Sequence, residues 1–200
     1  MNAKPYDRAY FDRWYRDPRA RVATNAAVDR KVRLAIGIAE ALLQRPVRSV
    51  LDVGCGEASW RRSLRALRPG LNYTGVDSSE YVLARFGRSR HIVAGTFGTL
   101  GALGLPGGYD LIICCDMLQY VSAGELGPGL SALSGLLGGI AYLEAYTTGD
   151  SIEGDRRGWH HREPALYRRA FRRAGLTGVG MHCWASPALA ATTAALERCR

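Results

Sequence analysis

The stretch most suited to chemistry is residues 50–60, an apolar run that Gly54 and Gly56 break before the sequence becomes amphipathic. This pattern predicts a strand, a tight turn and a helix. Glycines in such a turn allow positive φ values and a close approach of the backbone to a ligand. The first helical amides, near Ala58 and Ser59, and the helix dipole both favour negative charge. We therefore expect the turn to bind a carboxylate or a phosphate.

An acid at the end of the next predicted strand supports a nucleoside ligand. Leu64 and Leu67 continue the helix, and residues 73–77 have the pattern of a second strand that ends at Asp77, 21 residues after Gly56. A carboxylate in this position can accept hydrogen bonds from a ribose diol, each contributing about 1.5–3 kcal/mol.

Together with one further stretch, these residues resemble the class I S-adenosylmethionine-dependent methyltransferases. The matching segments are residues 52–56 for the first motif of the family, 76–78 for the second and 109–115 for the fourth, and the resemblance covers residues 47–185. Asp52, two positions before the first glycine, is not part of the dinucleotide fingerprint. The resemblance implies an α/β fold with a doubly wound, mostly parallel Rossmann-like sheet. It also implies S-adenosylmethionine as cofactor and S-adenosylhomocysteine as product.

The resemblance further implies a cofactor site that is shared among the strand ends and the loops that follow them. Its expected residues are Asp52, Gly54, Cys55, Gly56, Trp60, Asp77, Ser78, Ser79, Gly95, Thr96, Phe97, Cys115, Asp116, Met117 and Tyr120, with Tyr10 and Tyr15 from the N-terminal segment. Many members of the family have an acid after the third strand that binds the adenine amine. Here Thr96 follows Gly95, so we expect the Thr96 backbone and the Phe97 ring to serve instead.

The N-terminal segment, residues 5–19, is rich in aromatic side chains. Tyr6, Tyr10, Phe11, Trp14 and Tyr15 would lie on one side of a helix. They are either a core face docked on the sheet or a lid over the cofactor, where a ring near the sulfonium contributes about 0.5–2 kcal/mol. We assign residues 1–45 to a helical cap and residues 46–200 to the cofactor-binding domain, within one globular unit.

The remaining periodicity predicts the other elements of the sheet and its helices. Helices are expected over residues 22–43, 79–86 and 164–174, strands over 91–94, 109–115, 140–146 and 177–184, and a pliable loop over 95–108. Ser122 and Glu125 form a capping box for a helix that Gly138 and Gly139 end. The alanine-rich residues 187–199 favour a helix, which predicts that a helix replaces the last strand.

Methyl transfer demands little acid–base chemistry, because a sulfonium is already a good leaving group. Alignment of the acceptor can supply about 7–11 kcal/mol. Candidate bases are His160, His161, Glu144 and Tyr146, in or beyond the fifth strand, and no motif fixes any of them. Adjacent histidines in a loop do not have metal-ligand spacing, so we expect no metal.

Composition narrows the partners and the compartment. The chain has 200 residues and a net charge of +9, with Lys4 and Lys31 as its only lysines. Because no basic run is interleaved with stacking aromatics, we favour a solvated basic surface over a nucleic-acid interface. The five cysteines lack CxxC spacing, which fits reduced thiols in a cytoplasmic protein. The sequence contains no run of 18 apolar residues, so we expect no membrane-spanning helix.

Two other functions remain open from the sequence. Gly54, Gly56 and Ser59 approximate the dinucleotide turn of a nicotinamide-dependent oxidoreductase, although the chain has no second nucleotide-binding half. A non-catalytic S-adenosylmethionine-binding regulator is the other. For a methyltransferase, the absence of an Asp/Asn-Pro-Pro-aromatic element disfavours base methylation, and the two lysines disfavour ribose methylation. We expect transfer to an oxygen or nitrogen of a small metabolite or natural product. The sequence identifies neither this acceptor nor the oligomeric state.

Overall fold

Short apolar runs of three to eight residues form a single sheet in the computed structural model, which describes residues 4–151 and 154–199. The strands are β1 (Ser49–Val53), β2 (Asn72–Asp77), β3 (Ile92–Ala94), β4 (Tyr109–Cys115), β5 (Leu137–Glu144), β6 (Thr177–Gly180) and β7 (Cys183–Ala185). Their order is β3-β2-β1-β4-β5-β7-β6, and β7 runs in the direction opposite to the other six strands. This confirms the predicted Rossmann-like, mostly parallel sheet.

Helices cover both faces of the sheet, because successive side chains of a buried strand point in opposite directions. The helices are α1 (Arg8–Phe11), α2 (Asn25–Leu43), α3 (Ser59–Leu67), α4 (Glu80–Arg90), α5 (Ala123–Leu136), α6 (Pro164–Arg173) and α7 (Pro187–Thr192). In β4, Leu111 and Ile113 pack in the cluster that contains α2 and α3, whereas Ile112 packs with α5 and α6. The division into a cap over residues 1–45 and a domain over 46–200 stays a prediction.

The far edge of the sheet differs from the sequence prediction. Residues 177–184 are two antiparallel strands, β6 and β7, rather than one, so the last strand of the family sheet is present and no helix replaces it. The chain reverses at Met181 and His182, which both have positive φ (48° and 64°). Neither residue type signals such a turn, which usually contains Asn or Gly.

The start of β5 was also predicted incorrectly. The sequence predicted that Gly138 and Gly139 end a helix and that the strand starts after them. In the structure β5 already begins at Leu137, so both glycines lie within the strand. A Cβ at Gly139 would lie 2.1 Å from the carbonyl oxygen of Asp110. The glycine therefore permits close contact between neighbouring strands.

The N-terminal segment is less regular than a single helix over residues 5–19. The short helix α1 is followed by a π-helix, Asp12–Arg16, and the chain then turns back before α2. Phe11 is 2% exposed and stacks on Tyr81 of α4, with ring centroids 5.6 Å apart. The Ser79 hydroxyl donates to the carbonyl of Tyr6, and Arg16 pairs with Glu57. These contacts attach the segment to the turn after β1 and to α4.

Candidate active site

A cavity of about 220 Å³, here the turn cavity, opens where β1, β2 and β4 end, beneath the N-terminal segment. Ligands of open α/β sheets bind at this carboxyl edge. The cavity is lined by Tyr6, Tyr10, Phe11, Tyr15, Val53, Gly54, Gly56, Asp77, Ser78, Gly95, Thr96, Phe97, Asp116, Met117, Tyr120, Val121 and Glu125. The structure thus brings together predicted residues from the N-terminal segment, both motif turns, the loop after β3 and the end of β4.

The turn after β1 requires its glycines. Gly54 and Gly56 have φ values of +67° and +53°, a conformation that side chains with a Cβ rarely adopt. A Cβ at Gly54 would lie 3.0 Å from Cγ of Met117, and one at Gly56 would lie 3.2 Å from Cε1 of Phe11. The glycines therefore keep space between the turn and side chains that line the same cavity.

Asp77 connects the two motif turns. Its carboxylate accepts hydrogen bonds from the Gly56 amide (2.7 Å) and the Ser79 amide (2.9 Å). Burial raises the pKa of Asp77, and these amide bonds act in the opposite direction. Ser79 does not line the turn cavity; its hydroxyl accepts from the Val82 amide at the start of α4. Asp77 thus both shapes the turn and presents a carboxylate to the cavity.

Four predicted cofactor residues lie around a neighbouring space of about 60 Å³, here the thiol cavity. These are Asp52, Cys55, Trp60 and Cys115, and the thiol cavity shares Tyr15, Gly54 and Asp116 with the turn cavity. Asp52 is 3% exposed and accepts a hydrogen bond from the Tyr73 hydroxyl (2.8 Å). Burial raises the pKa of Asp52 to about 7.

Glu144, a predicted base, is held by three donors in this region. Its carboxylate accepts from Nζ of Lys31 (2.6 Å), from the Tyr142 hydroxyl (2.7 Å) and from Sγ of Cys115 (3.4 Å). Burial acts to raise the pKa of Glu144, but the Lys31 ammonium and the Tyr142 hydroxyl lower it overall. A carboxylate with a lowered pKa is a weak base, so this geometry suits Glu144 to holding Lys31 in place.

A third space of about 30 Å³, here the aromatic cavity, is walled mostly by rings. Its lining is Tyr10, Trp14, Tyr15, Val22, Asp116, Gln119, Tyr120, Tyr146, Asp155 and Trp159. The predicted base Tyr146 lines both this space and the thiol cavity.

Asp116 lines all three cavities. It has a φ of +56°, unusual for a residue other than glycine, and accepts a hydrogen bond from Nε2 of Gln119 (2.5 Å). Burial raises the pKa of Asp116 to about 6. Backbone strain and a raised pKa are both frequent at functional sites, so Asp116 occupies the central position of this site.

The two histidines that were predicted as bases, His160 and His161, do not line any of these three cavities. Both are exposed, the amide of His160 donates to the Gln119 carbonyl (2.8 Å), and the His161 ring packs on Trp159 (4.3 Å between centroids). His160 and His161 as bases remain predictions that the geometry does not support. Within residues 4–151 and 154–199, no cluster of His, Cys, Asp and Glu could hold a metal ion.

Sequence reasoning missed several residues that the fold brings to the site. Lys4 pairs with Asp155 (2.8 Å), and Lys31 enters from α2 to pair with Glu144. Trp159 comes from the polar loop after β5. None of these residues belongs to a motif. The chain has only two lysines among its many arginines, and this rarity is the one sequence signal that could have pointed to Lys4 and Lys31.

The turn and aromatic cavities are lined by acidic residues, whereas the chain as a whole is basic. The described residues that line the turn and aromatic cavities include four carboxylates, Asp77, Asp116, Glu125 and Asp155, and no lysine, arginine or histidine. The whole chain has a net charge of +9. An acidic, aromatic interior in a basic protein favours a positively charged ligand, such as a sulfonium.

Comparisons with known proteins agree with this geometry. A family model described as a methyltransferase domain matches residues 51–138. A SAM-dependent methyltransferase from Archaeoglobus fulgidus shares 15% identity over 84% of this chain and 73% of its own, with a TM-score of 0.59. DesVI from Streptomyces venezuelae shares 15% identity over 82% and 91%, with a TM-score of 0.62. The plantazolicin methyltransferase BamL shares 14% identity over 74% of this chain and 62% of its own, with a TM-score of 0.59.

No curated protein matches the chain. At these identities the solved structures establish the fold, and the family model identifies the segment that carries the motif turns. The match to a methyltransferase domain favours S-adenosylmethionine over a nicotinamide cofactor. No helix among the described residues is both long and apolar enough to cross a bilayer. Residues 51–138 thus match a methyltransferase domain, and the chain has the fold of S-adenosylmethionine-dependent methyltransferases.

Proposed function

We propose that the chain transfers the methyl group of S-adenosylmethionine to an oxygen or nitrogen of a small molecule. The observation that carries this proposal is the arrangement of the cavities. The turn cavity, which has the family's cofactor motifs, joins the aromatic cavity through Tyr10, Tyr15, Asp116 and Tyr120.

The residues present fit the cofactor. The Gly54–Gly56 turn forms a cradle that a Cβ would fill, and Asp77 offers a carboxylate to a ribose diol. Gly95, Thr96 and Phe97 supply backbone groups and an apolar wall for adenine. When bound, the cofactor supplies an activated methyl group on a positively charged sulfur. The acidic and aromatic lining would stabilise that charge.

The contribution of the chain is mainly alignment and exclusion of water. Phe11 and Tyr15 close the turn cavity from above, and Tyr10 and Tyr120 form the wall that it shares with the aromatic cavity. Holding two reactants in line can supply about 7–11 kcal/mol of the barrier. Asp116, with a pKa of about 6, is placed to accept a proton from an acceptor group.

The size of the aromatic cavity supports a small acceptor. The aromatic cavity has a volume of only about 30 Å³, so only the reacting end of an acceptor enters the site as it stands. A base flipped out of a nucleic acid needs a larger pocket. This geometry, together with the missing Asp/Asn-Pro-Pro-aromatic element, favours a metabolite or natural product.

The experiment is a methyl-transfer assay on fractionated extract. Purified protein and S-adenosylmethionine with a tritiated methyl group are incubated with a filtrate of small molecules and, separately, with RNA and with protein. We expect label in the filtrate only. Label in RNA or protein alone would contradict a small-molecule acceptor.

Cofactor binding without any transfer would instead favour a role other than methyl transfer. One structural neighbour, with 23% identity and a TM-score of 0.55, is named a [4+2]-cyclase, SpnF. The second alternative is a non-catalytic S-adenosylmethionine-binding regulator. Cofactor binding without methyl transfer is also the result that this alternative predicts.

A further inference from the structure

A buried ammonium group already lies beside the site. Nζ of Lys4 lies 3.8 Å from the ring centroid of Tyr120, 5.0 Å from that of Tyr10 and 5.1 Å from that of Tyr6. It also pairs with the Asp155 carboxylate at 2.8 Å, and the Lys4 side chain is only 8% exposed. We call this set of three rings and one carboxylate the tyrosine box.

The tyrosine box lies between the cofactor site and the outside. Its three tyrosines line the turn cavity. Tyr6 and Tyr120, with Lys4 itself, also line an open groove of about 940 Å³ on the surface. Lys4 therefore stands where a molecule entering from the groove would meet the cofactor cavity.

A box of this composition selects a cation. Ring faces attract positive charge, and a carboxylate at ion-pair distance compensates for its removal from water. An uncharged alcohol could donate a hydrogen bond to the Asp155 carboxylate but would leave it without a positive counter-charge if it displaced the Lys4 ammonium. The box therefore discriminates between an amine and an alcohol of the same shape.

We propose that the methyl acceptor is a small amine that enters from the groove and places its ammonium in the tyrosine box, where the Lys4 ammonium lies in this structure. This inference rests on the proposed function and narrows its acceptor from an oxygen or nitrogen to an amine nitrogen. Lys4 is then an internal competitor for the acceptor position.

The amine must lose a proton before it can react. The ammonium releases a proton to solvent in the open groove, and the neutral nitrogen uses its lone pair to bond the methyl carbon. The carbon–sulfur bond breaks with its electron pair on sulfur, which gives a methylated ammonium and a neutral thioether.

The state of Lys4 is consistent with this step. Burial lowers the pKa of the Lys4 ammonium, and the charges that face it are Asp155 and Asp116, which oppose that shift, and Arg157, which adds to it. An amine in the same place would lose its proton more readily than in water.

The test uses benzyltrimethylammonium, an unreactive cation, and benzyl alcohol as the uncharged probe. Both are titrated calorimetrically into the wild type, Lys4→Met and Lys4→Met/Asp155→Asn. Lys4→Met keeps a long side chain and removes the charge. Lys4→Gln is a second variant in case the first is unstable, and Glu163→Gln, an exposed carboxylate outside the cavities, is the matched control.

We expect Lys4→Met to bind the cation about tenfold more tightly than the wild type does and about tenfold more tightly than it binds benzyl alcohol. The added Asp155→Asn change should remove most of this gain, and Glu163→Gln should change nothing. Equal binding of the two probes, or weaker cation binding after loss of Lys4, would overturn the proposal and make Lys4 a structural link.

A cofactor titration separates this inference from the proposed function. S-adenosylhomocysteine is titrated into the wild type and into Glu163→Gln, which leaves both cavity linings intact, and it should bind the two proteins equally. Failure to bind S-adenosylhomocysteine would count against the methyltransferase itself. Normal binding of it without selection for the cation would refute only the amine.

Discussion

The turn cavity and the aromatic cavity are neighbours built in different ways. The turn cavity uses backbone: two glycines with positive φ, amides that donate to Asp77, and the loop after β3. The aromatic cavity uses side chains from the N-terminal segment, from the end of β4 and from the loop after β5.

The difference indicates a division of labour. A backbone cradle suits a ligand of constant shape, because its geometry depends on the fold and tolerates few changes. A wall of rings and carboxylates can change residue by residue without disturbing the sheet. Substitutions should therefore have larger effects on cofactor binding at the turn than at the N-terminal segment.

The strongest test of the backbone cradle is Gly56→Val. The new side chain must adopt a φ near +53° and avoid the Phe11 ring, so binding of S-adenosylhomocysteine should fall below detection while circular dichroism stays native. Gly124→Ala is the control, since a Cβ there meets no atom within 4 Å. Gly54→Val should behave like Gly56→Val. Normal affinity in either variant would mean that the glycines serve only the turn.

Asp77→Asn should come next in size. The amide keeps the volume but loses the charge that two backbone amides and a ribose diol would share. A loss of about 1.5–3 kcal/mol corresponds to a roughly 10- to 150-fold weaker affinity by calorimetry. An unchanged affinity would show that the carboxylate only shapes the turn.

Removal of residues 1–19 tests the side-chain half of the comparison. The sheet should remain folded by circular dichroism, but the stability should fall by at least about 1.5–3 kcal/mol because Phe11 is fully buried. Affinity for S-adenosylhomocysteine should fall less than in Gly56→Val. Tyr10→Phe and Tyr15→Phe keep the rings and test the hydroxyls alone. Unchanged affinity after truncation would end the lid interpretation.

The smallest expected effect is on stability, at Asp52. Its folded pKa of about 7 lies above the value for an unfolded Asp, so the folded state binds more protons and stability falls as pH rises from about 4 to 7. Asp52→Asn should remove this pH dependence. It should stabilise the protein by roughly 1–2 kcal/mol at pH 8, after loss of the charged hydrogen bond from Tyr73. Urea unfolding at pH 5 and pH 8 measures the free energy of unfolding of both proteins. An equal change in this free energy between the two pH values in the wild type and in Asp52→Asn would contradict the prediction.

The backbone half of the site was predictable because its physics requires particular residue types. Only glycine readily adopts the φ values at Gly54 and Gly56, and a buried parallel strand is almost continuously apolar. The positions of Gly54, Asp77 and Thr96 at one cavity follow from the strand order of a Rossmann-like sheet.

The other half could not be predicted, because it depends on contacts between segments far apart in the chain. Lys4 and Asp155 have no motif, and only the folded chain brings them to 2.8 Å. The β6–β7 hairpin was missed since Met181 and His182 adopt positive φ against their usual preference. Gly139 looked like a helix end but provides space between strands.

The most direct measurement of the central claim is calorimetric titration of the wild type with S-adenosylhomocysteine, followed by Asp77→Asn under the same conditions. The structure predicts one site per chain, binding in the wild type and a weaker affinity in the variant by about 10- to 150-fold. No binding to the wild type, together with tight binding of NADH, would contradict the account.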